Sequence, residues 1–529
     1  MRPWLYPIIY VRGYAKSGNE RDETTADPFC GFNIGSTVYR AFGEKGAPAR
    51  KFVFESPVVR LSSDYKYSHV YQNGLDIIDL DWNPPVDEEG ADTKGIPAQS
   101  IVIYRYYDEG SHLLGDGQAK DITLYANNLS KLILRVKELV SLNEGPLFDV
   151  SKFRCYLVAH SMGGLVVRTF LQNKAMGNDV ARACVDKVFT YASPHNGIEF
   201  GGINVPAWLT KDEMDTFSRK RMAEYLDMKP VFDSMERVDY LPESAFPSDR
   251  FFCMVGTNRG DYEVAQGLSR TFAGHGSDGL VRIENASVWG IDKNNVVTSP
   301  APTAYAHRAH SGYFGIVNSE EAYQNLVRFL FGDIRVDIWL DVTNVSLPPP
   351  LEGKAVEALY QFELLAAPRG KRWFLTRRVA EEDSCACRTH QQLTDDSEKE
   401  SRSIYLSTVF LSRRARVDWK RASMSYGMTI GVKVPDYQVD KIFWPDQHYE
   451  GSYLFRDTLI IEITPPVVAN TKWHVKYGWQ SSSGELAAQK ASFEELQNGK
   501  MQISIPFISA NNPGINGTIR LVASSWNDQ

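Results

Sequence analysis

Residues 153–171 read FRCYLVAHSMGGLVVRTFL, and the pattern of this stretch changes in its middle. The part up to His160 is a short apolar run that is typical of a buried strand. From Met162 onward, apolar residues recur at helical spacing. Ser161 lies between the two parts, with an alanine two positions before it and a glycine two positions after it. The pattern predicts a strand, a tight turn and a helix, with Ser161 in the turn.

The small residues around Ser161 have a physical reason. A nucleophile raised above the end of a parallel sheet lies on a strained turn, where larger side chains would collide with neighbouring elements. Ala159, Gly163 and Gly164 meet this requirement. The N–H of Met162 lies at the start of the helix, where unpaired donors and the helix dipole favour an anion. The alternative, a buried serine in an ordinary turn, is disfavoured by the strand before it and the helix after it.

The pattern A-x-S-x-G over residues 159–163 resembles the nucleophile elbow of the α/β-hydrolase superfamily. Within that superfamily the chain resembles triacylglycerol lipases and GPI inositol-deacylase-like (phospho)lipases, whose elbow reads A-H-S-M-G or G-H-S-M-G. The resemblance covers about residues 7–332. It implies an α/β fold with a parallel-sheet core, lid or cap insertions, and a Ser-His-Asp catalytic triad.

Two later motifs supply the other members of the implied triad. The stretch GSDGLV at 276–281 is similar to the G-x-D-G-x-V turn that carries the acid in lipases, which implies Asp278; Asp261 is the rival. The stretch HRAHSGY at 307–313 precedes a helix predicted over 317–332. It contains the H-S-G motif of the family, which starts at His310 and implies His310 as the base; His307 is the second choice. The order serine, acid, histidine is the hydrolase order.

The oxyanion hole is implied by the same resemblance. A predicted strand over 5–11 is followed by Arg12, Gly13 and Tyr14, and in lipases the residue after this glycine donates its N–H together with the residue after the nucleophile. The implied donors are therefore Tyr14 and Met162. Arg12 replaces the usual lipase histidine, and it either lies near the acyl site or pairs with a neighbouring carboxylate.

Residues 192–197, ASPHNG, resemble the lipase T-P-H-x-G turn. His195 of this turn is expected to be structural, because it comes before the acid in the chain.

Strands predicted at 100–107, 185–191 and 250–257 and a helix at 121–140 alternate as in a parallel sheet covered on both faces. From residue 334 the apolar pattern has period two over seven further segments, which predicts an antiparallel sandwich. We therefore expect a catalytic domain at 1–333, with insertions at about 16–99 and 198–250, and an all-β accessory domain at 334–529. Each insertion either contributes to the substrate site or is an elaboration without substrate contact.

Composition narrows the class of protein. The chain has 529 residues, 43% of them hydrophobic, and a net charge of −7. This charge argues against nucleic acid as the main partner. The six cysteines show no disulfide spacing, and Cys385-Ala386-Cys387 lacks the second ligand pair that a zinc site needs. No apolar run reaches transmembrane length and no signal core follows Met1, so a cytoplasmic protein is expected, or one exported without a cleaved signal.

The combined expectation is a serine esterase or lipase that cleaves acyl esters, of lipid type, through an acyl-enzyme and without a metal or cofactor. Alternatives are a phospholipase acting on membrane lipid, or an acyltransferase or amidase with the same triad. A non-catalytic scaffold is a further alternative. The β-domain either contacts membrane lipid, a carbohydrate or a protein partner, or braces the catalytic domain.

Overall fold

The computed structural model divides the chain into two compact units. The first comprises Met1–Pro302 and Arg308–Leu326, and the second comprises Thr303–His307 and Val327–Gln529. The domain limits expected from the sequence stay a prediction. The structure describes residues 5–13, 36–40, 50–54, 57–70, 95–104, 106, 120–198, 216–259, 276–311, 315–416, 418, 420–421, 423–439, 447–464, 474–482, 489–496 and 499–527.

The first unit is built on a parallel sheet. Six of its strands pair in parallel, in the order β9-β7-β6-β1-β5-β4. The strands of this unit are β1 (Ile8–Val11), β2 (Ser36–Arg40), β3 (Arg50–Phe54), β4 (Ser68–Val70), β5 (Ser100–Tyr104), β6 (Cys155–His160), β7 (Val185–Tyr191), β8 (Tyr240–Pro242), β9 (Phe251–Gly256), β10 (Trp289–Ile291) and β11 (Val297–Pro300).

The helices of the first unit pack their apolar residues on this sheet, because a parallel sheet buried on both faces needs covering on each side. They are α1 (Pro57–Tyr65), α2 (Ile122–Glu144), α3 (Met162–Gln172), α4 (Asp179–Ala183), α5 (Arg219–Tyr225), α6 (Lys229–Met235) and the beginning of α7 (Glu320–Phe331). Short 3-10 turns lie at Val150–Lys152, Ser248–Arg250 and Ile283–Asn285. None of the helices in the described ranges is long and apolar enough to cross a bilayer.

The helix predicted over 121–140 is α2, and its start is fixed by Asp121. The Asp121 side chain accepts the N–H of Thr123 as an N-cap, which satisfies one of the free donors at the helix start. The helical spacing predicts six core-facing positions, and five of them are buried: Leu129, Leu132, Ile133, Val136 and Leu139. Leu124 is the exception, since it is 37% exposed, and Tyr125 and Ala126 are buried in the same turn. The buried face is therefore rotated slightly from the predicted one.

The region that the sequence suggested as an insertion over 16–99 contributes to the sheet. Its short strand β4 pairs in parallel with β5, with Ser68 opposite Ser100 and Val70 opposite Val102. Its helix α1 is fixed to the start of α7 by the ion pair of Arg60 with Glu320 at 2.8 Å. This part of the insertion is an integral edge of the core.

Where it is described, the second unit is mainly β, with two antiparallel sheets and a short helix at His390–Thr394. One sheet has the order β17-β13-β26-β25-β24, and the other has the order β20-β19-β14-β18-β21-β22-β23, with β15 and β16 also pairing with β14. Its strands are β12 (Thr303–Ala306), β13 (Ile334–Val345), β14 (Glu357–Pro368), β15 (Thr376–Arg378), β16 (Ala386–Thr389), β17 (Ser403–Leu411), β18 (Met424–Lys433), β19 (Asp436–Val439), β20 (Gln447–Glu450), β21 (Tyr453–Thr464), β22 (His474–Trp479), β23 (Gln489–Lys490), β24 (Glu494–Glu495), β25 (Met501–Ile508) and β26 (Ile515–Ser525).

The core of the second unit follows from alternation along these strands. In β13, for example, Ile338 and Leu340 are fully buried while Trp339 between them is partly exposed. They join one apolar cluster with residues of the other sheet, such as Phe362 of β14 and Ile430 of β18. Successive side chains of a strand point to opposite faces, so each sheet contributes one apolar face to the core. The predicted α/β core followed by an all-β region is confirmed.

The middle of α3 carries a fully buried arginine, Arg168. Its Nε donates to Gln172 Oε1 at 2.7 Å and its Nη1 donates to the carbonyl of His195 at 2.9 Å. Its Nη2 donates to the carbonyls of Val238 at 2.7 Å and Tyr240 at 2.8 Å. One guanidinium thus joins the elbow helix to two separate chain segments.

Burial lowers the pKa of Arg168 to about 10, and the charge of Asp239 acts in the opposite direction. The side chain therefore stays charged at neutral pH and keeps all its donors. Buried carbonyls that lose such a donor are left without a partner, which costs about 1–3 kcal/mol each.

Replacing Arg168 by methionine should destabilise the first unit by about 2 kcal/mol or more, because the buried carbonyls of His195 and Val238 lose their donor and the partly buried Tyr240 carbonyl loses one of two. Urea unfolding of the full chain measures this as a lower transition midpoint. Lys229→Met is the control, since the Lys229 side chain is 72% exposed and pairs with Asp233 at the surface, so its loss should cost less than about 1 kcal/mol. Equal midpoints for the two variants would contradict the structural role of Arg168.

Candidate active site

Ser161 connects the end of β6 to the start of α3. Its backbone has φ 52° and ψ −124°, a conformation that residues with a side chain rarely adopt. Its N–H donates to the carbonyl of Tyr191 at 2.9 Å, and its own carbonyl accepts the N–H of Gly164 at 3.0 Å. The turn is therefore fixed on both sides by main-chain bonds. The predicted strand, tight turn and helix are all present.

The crowding expected around the elbow is visible at both glycines. A Cβ on Gly163 would lie 2.3 Å from the carbonyl oxygen of Val11, and one on Gly164 would lie 2.2 Å from Ser193 Oγ. Ala159 pairs with Val11 on one side and with Thr190 on the other. Any larger residue at the two glycines would force α3 away from β1 and from the loop after β7.

Ser161 and His310 are joined by a hydrogen bond. His310 Nε2 lies 2.9 Å from Ser161 Oγ. On the other side of the ring, His310 Nδ1 lies 2.9 Å from Asp278 Oδ2. A carboxylate only accepts, so Nδ1 carries the ring proton and Nε2 is left to accept the serine O–H. All three residues are buried, with exposed fractions of 5% for Ser161, 1% for Asp278 and 3% for His310.

Asp278 is positioned by its own turn. Its Oδ1 accepts the N–H groups of Leu280 at 3.0 Å and Val281 at 2.8 Å, which leaves Oδ2 directed at His310. Its carbonyl also accepts the His310 N–H at 3.0 Å. The acid therefore holds the histidine by ring and by backbone, so the ring is fixed in orientation as well as in tautomer.

The second-choice base, His307, belongs to the second unit, where its Nδ1 is 3.4 Å from Glu382 Oε1. The rival acid, Asp261, lies outside the described residues. His195 is fully buried, and its Nε2 lies 3.2 Å from Thr190 Oγ1. Thr190 Oγ1 donates to the carbonyl of Phe252, so it accepts from His195, whose ring is thereby bound to the sheet.

The two expected oxyanion donors are the N–H groups of Met162 and Tyr14. Met162 is the first residue of α3, and the N–H at this position has no acceptor within its own helix. Tyr14 lies outside the described residues. The preceding Gly13 lies beside the nucleophile, since a Cβ built on it would be 2.7 Å from Ser161 Cβ. The end of β1 and the start of α3 thus flank Ser161.

His160 is a residue of this site that the sequence analysis did not single out. Its Nε2 lies 2.9 Å from the carbonyl oxygen of His310, and the two ring centres are 5.1 Å apart. A carbonyl only accepts, so the proton of the neutral ring is on Nε2. Burial lowers the pKa of His160 to about 3, and the neighbouring His310 ring acts in the same direction. The available signal was a histidine directly before the elbow serine, at the end of an apolar strand.

The described part of the insertion at about 198–250 contributes side chains to the core of the first unit. Phe217, Met222, Tyr225, Leu226 and Met228 are buried in the core of the first unit. Trp208 and Met214 belong to the same apolar set at irregular helical spacing in the sequence, and both lie outside the described residues. In the part of the chain that is described, no group of three or more His, Cys, Asp or Glu side chains is arranged to hold a metal ion.

The site thus consists of a strained turn after the central strand β6 and a chain of hydrogen bonds from Ser161 through His310 to Asp278. No protein-family model matches the sequence, and no curated protein matches it. Among solved structures, the chain is similar to the mature lipase BlEst2 of Bacillus licheniformis, with 13% identity and a TM-score of 0.32, covering 61% of this chain and 91% of that one. It is also similar to the lin2722 gene product of Listeria innocua, with 11% identity and a TM-score of 0.23, covering 62% and 94%. At such TM-scores neither likeness bears on the activity.

The low pKa of His160 gives a measurable expectation. As the pH falls from about 6.5 toward about 3, an unfolded histidine takes up a proton and the folded His160 does not. Because of His160, the free energy of unfolding should therefore fall by up to about 1.4 kcal/mol for each pH unit over this range. Above the unfolded pKa this loss is absent.

Histidine-detected ¹⁵N NMR should show His160 as the neutral Nε2–H form until the pH approaches about 3. The His160→Gln variant assigns the signal and retains a donor for the His310 carbonyl. Its stability should fall less steeply with acid than that of the wild type. A His160 titration midpoint near the ordinary value of 6.5 would contradict the buried, neutral state.

Proposed function

We propose that this protein is a serine hydrolase of carboxylic esters that acts through an acyl-enzyme, with Ser161 as nucleophile, His310 as base and Asp278 as the acid that orients it. The observation that carries the proposal is the continuous hydrogen-bond chain, 2.9 Å from Ser161 to His310 and 2.9 Å from His310 to Asp278. A second observation supports the proposal, because Ser161 lies on a strained turn at the start of a helix, as the nucleophile of such enzymes does.

In the first half of the reaction, Ser161 Oγ attacks the ester carbonyl carbon and its proton passes to His310 Nε2. The ring then carries a positive charge, which the Asp278 carboxylate stabilises through Nδ1–H without taking the proton. His310 next gives its Nε2 proton to the leaving alcohol, and the acyl group remains on Ser161. The buried position of the three side chains strengthens these electrostatic interactions.

The developing oxyanion needs donors that are already in place. The N–H of Met162 at the start of α3 fits this role, because the helix dipole adds to it. In this proposal Tyr14 supplies the second N–H from the end of β1. A preorganised donor of this kind contributes about 3 kcal/mol to stabilising the transition state.

In the second half, His310 Nε2 takes a proton from water as the water oxygen attacks the acyl carbon. The bond from that carbon to Ser161 Oγ then breaks, Oγ takes the proton back from His310, and the carboxylic acid is released. His160 contributes indirectly, because its Nε2–H holds the carbonyl of the residue that carries the base. We propose it as a positioning residue for His310.

We further propose that the substrate is an acyl ester of lipid type. The support is the A-H-S-M-G elbow, together with the S-P-H-x-G turn at 193–197, and both resemble the lipases. Activity on phospholipid and acyl transfer to an alcohol use the same triad chemistry, so the assay panel includes both.

Replacing Ser161 by alanine should abolish turnover, lowering kcat on the order of 10⁴-fold or more, because no other group can form the acyl-enzyme. The assay uses p-nitrophenyl esters of graded chain length, then phospholipid vesicles, then an ester with an added alcohol acceptor. A fluorophosphonate probe should label the wild type at Ser161. Ser151→Ala, at an exposed serine of the same unit, is the matched control and should keep full activity. A folded wild type that turns over no ester and ignores the probe would refute the proposal.

Replacing Asp278 by asparagine should lower kcat by about 10³–10⁴-fold with little change in KM. Asparagine cannot hold the required tautomer, while Asp278 is 1% exposed and bonds to the ring nitrogen opposite the one that faces Ser161, so substrate binding should change little. Steady-state kinetics on the best ester measure the split between kcat and KM. Asp179→Asn, at a carboxylate that is 89% exposed, serves as the control. A rise in KM with unchanged kcat would mean that Asp278 does not act on the base.

A further inference from the structure

Two cysteines of the second unit lie side by side at one end of β16. Cys385 directly precedes the strand and Cys387 is its second residue, so the two share one face and Ala386 points to the other. Ala386 is buried at 6%, whereas Cys387 is exposed and Cys385 is partly exposed. Their sulfur atoms are 3.7 Å apart. The strand therefore presents a pair of adjacent thiols at the surface.

Two arginines lie close enough to act on this pair. Arg378 is fixed because its Nε donates to the carbonyl of Ser384 at 2.8 Å and its Nη1 to that of Tyr405 at 3.0 Å. Arg388 is fixed because its Nη1 donates to the carbonyl of Cys387 at 2.8 Å and its Nε to that of Ser401 at 2.8 Å. Both guanidinium groups are held by the main chain, so their positive charge stays near the thiols.

These surroundings favour a thiolate at one of the two sulfurs. The hydrogen bond from Cys385 lowers the pKa of Cys387 to about 7, Arg378 and Arg388 act in the same direction, and burial and Asp383 oppose them. The same hydrogen bond raises the pKa of Cys385, as do burial and Glu363. Near neutral pH the pair thus consists of a Cys387 thiolate and a Cys385 thiol that donates to it.

We propose that Cys385 and Cys387 form a reactive vicinal dithiol that reduces hydroperoxides and closes to an internal disulfide. An accessible thiolate with a second thiol in contact is the arrangement that this chemistry needs. The proposal does not depend on the esterase activity, because it uses different residues of the other unit.

The first step forms a sulfenic acid. The Cys387 thiolate attacks one oxygen of a hydroperoxide, the O–O bond breaks, and the other oxygen leaves as an alkoxide that takes a proton from water. In the second step the sulfur of Cys385 attacks the Cys387 sulfur, the S–O bond breaks, and water leaves with the Cys385 proton. The two sulfurs together lose two electrons and the hydroperoxide gains them.

Closure requires a limited movement. The sulfurs must approach from 3.7 Å to a bond length of about 2.05 Å, which side-chain rotation and a small shift of the strand start supply. The ring closed across one intervening residue is short, so little chain entropy stabilises it. An added dithiol reductant should reopen it readily.

The test treats the reduced full chain with a small excess of tert-butyl hydroperoxide and follows intact mass and non-reducing peptide maps. The wild type should lose two hydrogens, with the disulfide mapped to Cys385–Cys387, and should regain them with dithiothreitol. Cys385→Ser should instead accumulate a Cys387 sulfenic acid that dimedone traps. Cys387→Ser should react at least about tenfold more slowly. Cys184→Ser, at a buried cysteine of the first unit, should behave as wild type.

A second measurement needs no variant. Iodoacetamide labelling of Cys387 in the reduced wild type should rise with a midpoint near pH 7, well below the ordinary thiol value of 9.0. Ser161→Ala should react with hydroperoxide as the wild type does, which separates this proposal from the esterase. Oxidation mapped to other cysteines, equal rates for Cys387→Ser and wild type, or a labelling midpoint near 9 would each overturn it.

Discussion

The geometry of the first unit depends on the backbone of Ser161, which is held at φ 52° and ψ −124°. A residue with a side chain stays in this conformation only where surrounding contacts fix it. Here the Ser161 N–H is bound to Tyr191, and α3 approaches β1 so closely that Gly163 has no room for a Cβ. The strain sets the direction in which the serine points, and packing of the sheet and helix maintains the strain.

The triad is assembled from segments that are far apart in sequence, yet main-chain bonds already connect them. The Asp278 carbonyl accepts the His310 N–H, and the His160 ring donates to the His310 carbonyl. The backbone of the base is thus bound on one side to the acid and on the other to the neighbour of the nucleophile. Because of these bonds, the distance from Ser161 to His310 and the distance from His310 to Asp278 depend on the backbone as well as on side-chain rotation.

Much of this was predictable from the sequence, for identifiable reasons. The elbow is a local pattern, because crowding restricts residue size within a few positions of Ser161. Asp278 and His310 were found only by resemblance to lipase motifs, and their catalytic roles remain predictions. The strand β4 was missed because three residues carry no period, and its pairing with β5 depends on the rest of the sheet. Arg168 was also missed, although a lone arginine in the apolar run LVVRTFL indicates a buried cation that must find carbonyl partners.

The pairing of β4 with β5 has a consequence for how this chain tolerates change. β5 is buried along its whole length, from Ser100 to Tyr104, and β4 satisfies main-chain groups on one of its sides. A chain shortened between 16 and 99 would leave the peptide groups of an apolar strand open to pairing with another molecule. β4 therefore covers three of the five β5 residues on that side, and with three residues it offers little edge of its own for such pairing.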